Sequence, residues 1–264
     1  MSTFLIGFPN RIDSATITGG SWLAGAPVTN VGTWALAETA RSSNALAAST
    51  KIRINHGGAV TARVLVLMRH NLSSAATVRW MRGTTGGGSD VADSGTVDAW
   101  RFTPRSYDGE VYDVQVVQTS QTSAQYDEIE IVDTGNAAGY IEIGRVFVGP
   151  AFAPTYNPNY GLIDGHEDLS VIGQAHSGAQ WPSASRRLRT VRFDMEHLTL
   201  DEGDALHEME QIEGQTGEVA YLPCTDLPGH MQRYGMVGML RELNGILYPR
   251  WQTRSRAFAV RQRA

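Results

Sequence analysis

Residues 1–150 contain short runs in which apolar and polar side chains alternate, and this rhythm constrains the fold more than any other feature. Alternation with a period of two is typical of half-buried β-strands. The run from Val64 to Met68 is continuously apolar and predicts a strand buried on both faces. The alternating apolar residues are Ile52 and Ile54, Val78 and Trp80, Tyr112, Val114 and Val116, Ile129 and Ile131, and Ile141 and Ile143. Turn-forming sequences separate these runs, so we expect residues 1–150 to form a β-sandwich or jelly roll.

Prolines and glycines interrupt the chain after residue 150. They are Pro150, Pro154, Pro158 and Pro182, with Gly161, Gly165, Gly173 and Gly178 between them. This composition predicts a linker or extended arm over 151–186, which separates two domains. We expect the arm to become ordered on contact with a neighbouring molecule.

Residues 187–264 predict a β domain that contains one helix, so the expected fold class is mainly β throughout. Thr199 and Glu202 form a capping-box pattern, in which each side chain can bond a backbone N–H group of the first turn. We therefore expect a helix over about 200–213, which Gly214 ends. Strands are predicted at 191–195, 218–222, 236–240 and 257–260.

The composition excludes several classes of protein. A single cysteine, Cys224, leaves no pair for an intrachain disulfide. The formal net charge of −5 is not that of a nucleic-acid-binding protein. No apolar run approaches the ~18 residues of a membrane helix, and the first residues lack the basic and apolar regions of a signal peptide. We expect neither nucleic acid nor membrane insertion among the partners.

Residue patterns that could support catalysis are weak. Asp133-Thr134-Gly135 matches the short motif of aspartic proteases, but the same residues form ordinary turns between strands. His166, Glu167 and Asp168 could ligate a metal, yet no helix fixes their spacing. No base neighbours Cys224 in the sequence, and Gly86-Gly87-Gly88 lacks the remainder of a phosphate loop. We therefore predict no enzyme activity, no cofactor and no metal.

Acidic and basic residues are segregated in the last third of the chain. Basic residues near the C-terminus and acidic residues of the predicted helix could meet head to tail on neighbouring copies. The alternative is that both groups are simply solvated. The candidate interface residues are Arg250, Arg254 and Arg256 on one side and Asp201, Glu202 and Asp204 on the other.

Three stretches resemble structural proteins from bacteriophage tails. Residues 140–150, Tyr-Ile-Glu-Ile-Gly-Arg-Val-Phe-Val-Gly-Pro, resemble the segment that closes an N-terminal jelly roll in those proteins. Residues 69–79 resemble an upstream strand-turn-strand stretch of the same proteins. Residues 187–193 and 198–206 are similar to the strand-helix signature of tail-tip domains, which commonly build rings.

The resemblance implies a structural component of a phage virion tail, at the tail tip or baseplate, in the position of a distal tail protein. It implies self-assembly, with a ring as the expected homo-oligomer, and contacts with other tail and baseplate proteins. It also implies assembly in the bacterial cytoplasm and no catalytic residues.

A carbohydrate-binding module is the alternative function. The chain contains six tryptophans, and exposed aromatic side chains on a jelly roll could stack on the sugar rings of a host surface glycan. Most of the six are more simply interpreted as core or interface residues. The two functions are compatible in one protein.

Overall fold

The computed structural model describes residues 3–103, 112–250 and 253–263, without the side chain of residue 250. The chain divides into two compact units. The first unit comprises Thr3–Ala153 and Val219–Met236, and the second comprises Pro154–Glu218 and Val237–Ala264. This partition differs from the predicted boundaries at 150 and 186, because the segment 219–236 packs with the first unit.

Antiparallel strands dominate both units, which confirms the predicted mainly β fold class. None of the helices in the described residues is long and apolar enough to cross a membrane. The strands are β1 (Leu5–Gly7), β2 (Thr16–Thr18), β3 (Ala40–Arg41), β4 (Ile52–His70), β5 (Thr77–Gly83), β6 (Ala92–Asp98), β7 (Val114–Val132), β8 (Glu142–Gly149), β9 (Ala151–Phe152), β10 (Ile163–Asp168), β11 (Val171–Gln174), β12 (Gln180–Ser183), β13 (Arg187–Leu198), β14 (Val219–Leu222), β15 (Met236–Leu240), β16 (Leu247–Arg250) and β17 (Thr253–Gln262). The helices are α1 (Leu200–Glu213) and α2 (Pro228–Tyr234), and two short 3₁₀ helices span Arg11–Ser14 and Val28–Gly32.

The larger sheet of the first unit has the strand order β3-β8-β4-β7-β5-β6, and β2 pairs with β4. The strand β4 lies in its middle, between β7 and β8. The run Val64–Met68 is buried on both faces, as the sequence predicted. One face of the sheet carries the continuous apolar core of the unit, with Leu65, Leu67, Ile129 and Ile131 fully buried.

Three short strands of the first unit pair antiparallel with one another outside that larger sheet. Among them β1 lies between β14 and β9, with Ile6 opposite both Tyr221 and Phe152. The pairing of β14 with β1 is the reason that 219–236 belongs to the first unit. It also brings in α2, a second helix that the sequence analysis missed because no polar side chain caps its N-terminus.

A buried charged network joins three strands of the first unit. One carboxylate oxygen of Asp127 on β7 accepts hydrogen bonds from the guanidinium Nε of Arg82, at 2.7 Å, and the indole Nε1 of Trp80, at 2.9 Å. Its other oxygen lies 2.6 Å from Nε2 of His56. Arg82 donates further to the carbonyl groups of Val60 and Ala62 on β4. The network therefore satisfies a fully buried ion pair and fixes β4, β5 and β7 to one another.

The second unit is built on an antiparallel sheet in which β13 lies between β10 and β17, and β17 also pairs with β15. The rings of Phe193 and Phe258 stack across the β13–β17 pair, with centroids 5.3 Å apart. Within the predicted linker or arm 151–186, the strand β10 pairs with β13, from Ile163 opposite Arg192 to Asp168 opposite Arg187.

The helix α1 begins and ends where the sequence predicted. The Thr199 hydroxyl accepts from the Glu202 N–H, and the Glu202 carboxylate accepts from the Thr199 N–H at 2.8 Å. This confirms the capping box. Leu206 and Met209 bury the inner face of the helix.

Candidate assembly surface

A β-hairpin formed by β11 and β12 pairs with no other strand among the described residues. A tight loop joins the strands: the Ala175 N–H donates to the Ala179 carbonyl and the Gly178 N–H to the Ala175 carbonyl, both at 2.9 Å. The positive φ of Gly178, +84°, allows the chain to reverse there. At the base, the Ser185 N–H donates to the Ser170 hydroxyl at 2.9 Å, so the ends of the hairpin lie together.

Both faces of this hairpin are exposed and both carry apolar side chains. The pairing of Val171 with Ser183 and of Gly173 with Trp181 places Val171 and Trp181 on one face. Ile172 lies on the other face, opposite Pro182. The exposed fractions are 66% for Val171, 65% for Ile172 and 60% for Trp181. A two-stranded hairpin of this kind is marginal in water unless another surface covers it.

Exposed apolar side chains are concentrated in the second unit. Of the 18 large hydrophobic residues that are exposed in the described part of the chain, 13 belong to this smaller unit. Large exposed apolar areas on a soluble protein mark surfaces that contact another molecule. The 13 residues are Tyr156, Tyr160, Leu162, Ile163, Leu169, Val171, Ile172, Trp181, Leu200, Ile212, Leu243, Leu247 and Tyr248.

The predicted acidic interface residues lie at the start of α1 and have different environments. Asp201 and Asp204 are exposed. Glu202 is half-buried, because its carboxylate caps the helix and accepts the Thr155 N–H at 2.6 Å. These bonds lower the pKa of Glu202 although its burial opposes the shift as the largest single influence. Asp201 and Asp204 remain accessible to a partner, whereas Glu202 is part of the fold of the second unit.

The predicted basic interface residues are less accessible. Arg256 is only 3% exposed and forms an ion pair with Glu210 of α1 inside the second unit, so the structure gives it an internal role. Burial lowers the pKa of Arg256 and raises the pKa of Glu210. The Arg254 guanidinium stacks 4.1 Å from the centre of the Tyr248 ring. The side chain of Arg250 lies outside the described residues.

Two further arginines, one in β17 and one just after it, also form ion pairs within the second unit. Arg261 Nε lies 3.1 Å from a carboxylate oxygen of Glu167, and Arg263 pairs with the buried Glu218. The inward position of Arg256 is indicated by the alternation of side chains along β17, because Arg256 shares a face with Phe258 and Val260. On α1, Glu210 follows Leu206 by four residues and therefore faces inward.

The side chains of Asp133 and Cys224, which the sequence offered as catalytic candidates, lie in environments that do not favour catalysis. Asp133 is buried and its carboxylate accepts from the Ser73 N–H at 2.8 Å, the Ser73 hydroxyl at 2.5 Å and the Asn136 amide at 2.8 Å. It therefore closes the turn after β7. Burial and the Asp226 carboxylate raise the pKa of the Cys224 thiol, which disfavours the reactive thiolate. Over 3–103, 112–250 and 253–263, no three His, Cys, Asp or Glu side chains are arranged to hold a metal.

The triple glycine forms the tip of the β5–β6 hairpin. The Asp90 carboxylate accepts from the Thr84 N–H and hydroxyl, at 3.1 and 2.7 Å, and the Gly88 N–H donates to the Thr85 carbonyl. These bonds close the loop on itself. The described residues directly after it form the strand β6, and not a helix whose N-terminus could face an anion.

The tryptophans divide between core and surface. Trp80 is fully buried, and Trp22 and Trp100 pack against the core of the first unit. Trp34 and Trp181 are exposed, and Trp251 lies outside the described residues. The Trp34 ring, 48% exposed, packs 5.2 Å from the guanidinium carbon of buried Arg145, which also donates to the half-exposed Asp13 at 2.5 Å. One buried arginine thus contacts both an exposed aromatic ring and a carboxylate.

Partly buried His70 makes the stability of the first unit depend on pH. Its Nδ1 accepts from the Leu72 N–H at 3.2 Å, and burial lowers the pKa of the ring from 6.5 to about 4. Because the unfolded chain binds the proton more readily, stability is lost as pH falls from 6.5 towards 4. We expect this residue to account for a loss of about 3 kcal/mol over that range.

The measurement is the urea unfolding free energy at neutral pH and near pH 4, for the wild type and for His70→Gln. The variant is expected to lose less stability on acidification. An equal loss in both chains would assign the pH dependence to other groups.

The known proteins that are similar to this chain resemble it in fold alone, and their sequence identity to it is low. No protein-family model matches the chain, and no curated protein matches it. A galactose-bound family 32 carbohydrate-binding module of Clostridium perfringens NanJ is 12% identical with a TM-score of 0.39, covering 54% of this chain and 98% of its own. The lectin domain of lectinolysin with Lewis b antigen is 14% identical with a TM-score of 0.38, covering 55% and 98%. A Ruminococcus gnavus family 29 fucosidase with bound fucose is 13% identical with a TM-score of 0.39, covering 55% and 28%.

Proposed function

We propose that this chain is a structural component of a phage virion tail, at the tail tip or baseplate, and that it acts by self-assembly and by contacts with other tail proteins. The observation that carries the proposal is the hairpin β11–β12, which exposes apolar side chains on both faces and pairs with no other strand among the described residues. Such a hairpin is stabilised when a neighbouring molecule covers it.

The uneven distribution of exposed hydrophobic residues supports an assembly role over a solitary soluble protein. The second unit carries most of them, while the first unit buries most of its large apolar side chains. The stretches that resemble tail proteins include the start of β13 and the start of α1, and both belong to the second unit. One of the three resembling stretches, the strand-helix signature, therefore lies in the unit that carries most of the exposed apolar side chains.

Immunogold electron microscopy of tailed particles from the strain that encodes the chain tests the location. We expect label at the end of the tail distal to the head, in particles whose proteins include this chain. Purified particles that lack the chain would contradict the proposal.

Binding of a glycan by the first unit is a second candidate function. The observation that favours it is the exposed Trp34 ring, which packs against buried Arg145, and Arg145 also donates a hydrogen bond to the Asp13 carboxylate. A flat aromatic ring offers an apolar face to a sugar, and a carboxylate can accept hydrogen bonds from its hydroxyl groups.

We expect Trp34→Ala to abolish saturation-transfer NMR signals from galactose or fucose, because the substitution removes the stacking face. Trp181→Ala is the matched control, since it removes an exposed tryptophan from the other unit and leaves Trp34 intact. Equal signals from wild type and Trp34→Ala, or none from the wild type, would remove this candidate.

A further inference from the structure

The connection between β15 and β16 contains the dipeptide Asn244-Gly245. This connection spans residues 241–246 of the second unit and has no helix or strand of its own. Among the asparagines of the sequence, only Asn244 is followed directly by a glycine. Gly245 is exposed, and a Cβ atom added to it would meet nothing within 4 Å. No neighbouring atom therefore restrains this glycine on the side where a side chain would lie.

The Asn244 side chain holds the middle of the connection against β17. Its amide Nδ2 donates to the carbonyl of Ala257 at 3.1 Å, and the residue is half-buried. The start of the connection is held separately, since the Arg241 N–H donates to the Ala259 carbonyl at 2.8 Å. A chemical change at the Asn244 amide therefore alters a contact that positions the connection.

We propose that Asn244 is a site of spontaneous deamidation in the folded chain. Asparagine is a thermolabile residue, and the absence of a Cβ at Gly245 gives the backbone the freedom that the reaction requires. The Gly245 nitrogen attacks Cγ of Asn244, and the new C–N bond closes a cyclic imide. The bond from Cγ to Nδ2 breaks, and that nitrogen leaves as ammonia with the proton given up by Gly245.

Solvent water is the only co-reactant and opens the imide at either carbonyl carbon. The hydroxyl group of the water goes to that carbon and its remaining proton to the imide nitrogen, as the C–N bond between them breaks. The products are aspartate and isoaspartate, and no group is oxidised or reduced.

The reaction changes the surface of the second unit. An ionised carboxylate only accepts hydrogen bonds, so it cannot donate to the Ala257 carbonyl, and the tie between the connection and β17 is lost. The product also places a negative charge between Leu243 and Leu247 in the chain, which are both exposed. The reaction needs no partner and does not depend on the proposed function.

Peptide mapping of the folded wild-type chain tests the site. Samples are incubated at mildly alkaline pH for increasing times, and trypsin, which cuts after Arg241 and Arg250, then releases residues 242–250. We expect this peptide to gain the mass difference between an amide and a carboxyl group. We also expect it to separate by chromatography into aspartate and isoaspartate forms. A sample digested without incubation corrects for conversion during digestion.

Asn44 is the matched control within the same sample. It is half-buried and hydrogen-bonded, as Asn244 is, but Ala45 follows it. Trypsin releases it in residues 42–51, and we expect this peptide to keep its mass while residues 242–250 convert.

Gly245→Ala is expected to slow the conversion of Asn244 by at least about tenfold, because a Cβ restricts the backbone that carries the attacking nitrogen. The variant should keep the fold, since φ of Gly245 lies outside the left-handed region and the added Cβ meets open space.

Faster conversion of residues 242–250 than of 42–51, with slower conversion in Gly245→Ala, supports the proposal. An incubated wild type whose peptide 242–250 keeps its mass, or converts no faster than 42–51, would overturn it. Equal rates in the wild type and Gly245→Ala would overturn the role of the Gly245 nitrogen.

Discussion

Asp127→Asn is expected to lower the free energy of unfolding by about 3–5 kcal/mol. The substitution keeps the shape of the side chain but removes the charge that compensates the fully buried guanidinium of Arg82. It also weakens the acceptor for Trp80 Nε1 and the contact to His56 Nε2. A buried charge without its partner retains its full desolvation cost, and this cost makes the effect large.

Urea denaturation followed by tryptophan fluorescence measures the change, because Trp80 lies in the network. Asp93→Asn is the matched control. Asp93 of β6 pairs with Arg79, which lies on β5 as Arg82 does, but both side chains of this pair are substantially exposed. We expect it to cost less than about 1 kcal/mol.

The double substitution Arg82→Met with Asp127→Leu is expected to be less destabilising than Asp127→Leu alone, since it removes both charges. Similar losses for Asp127→Asn and Asp93→Asn would contradict the assignment of a buried, energetically coupled ion pair.

Replacing residues 171–184 with a short glycine-serine linker is expected to weaken self-association by roughly 100-fold or more, with the fold retained. Anchoring tryptophans in interfaces commonly contribute about 2–4 kcal/mol, and the deletion also removes Val171 and Ile172. The fold should survive because Ser170 and Ser185 already lie within hydrogen-bond distance, so a short linker closes the gap.

The single substitution Trp181→Ala is expected to weaken association in the same direction, and Trp34→Ala to leave it unchanged. Sedimentation equilibrium measures the association constants, and far-UV circular dichroism checks the fold. Unchanged association in the linker variant would exclude the hairpin from the interface.

Local features of the fold could be predicted from the sequence because their causes are local. The apolar run at 64–68 is buried on both faces as predicted, and the capping box at Thr199 marks the start of α1. The hairpin and β10 could not be predicted in the same way. Their residues lack alternation of apolar and polar side chains, and β10 is defined by its pairing with β13, a long-range contact.

The candidate interface could be predicted only in part. Clustered arginines near the C-terminus suggested an exposed basic patch, but β17 alternates and turns Arg256 inward to Glu210. The acidic residues of α1 include both a capping side chain, Glu202, and exposed carboxylates such as Asp204. Charge counts do not distinguish these environments, whereas the three-dimensional positions do. The exposed Trp181 became significant only once the hairpin around it was known.

Native mass spectrometry of the purified wild type, with negative-stain images of the same sample, tests the central claim of assembly through the second unit. The account predicts a closed ring of several copies that the hairpin linker variant fails to form. A wild-type chain that remains monomeric at every concentration, with no ring in the images, would contradict it.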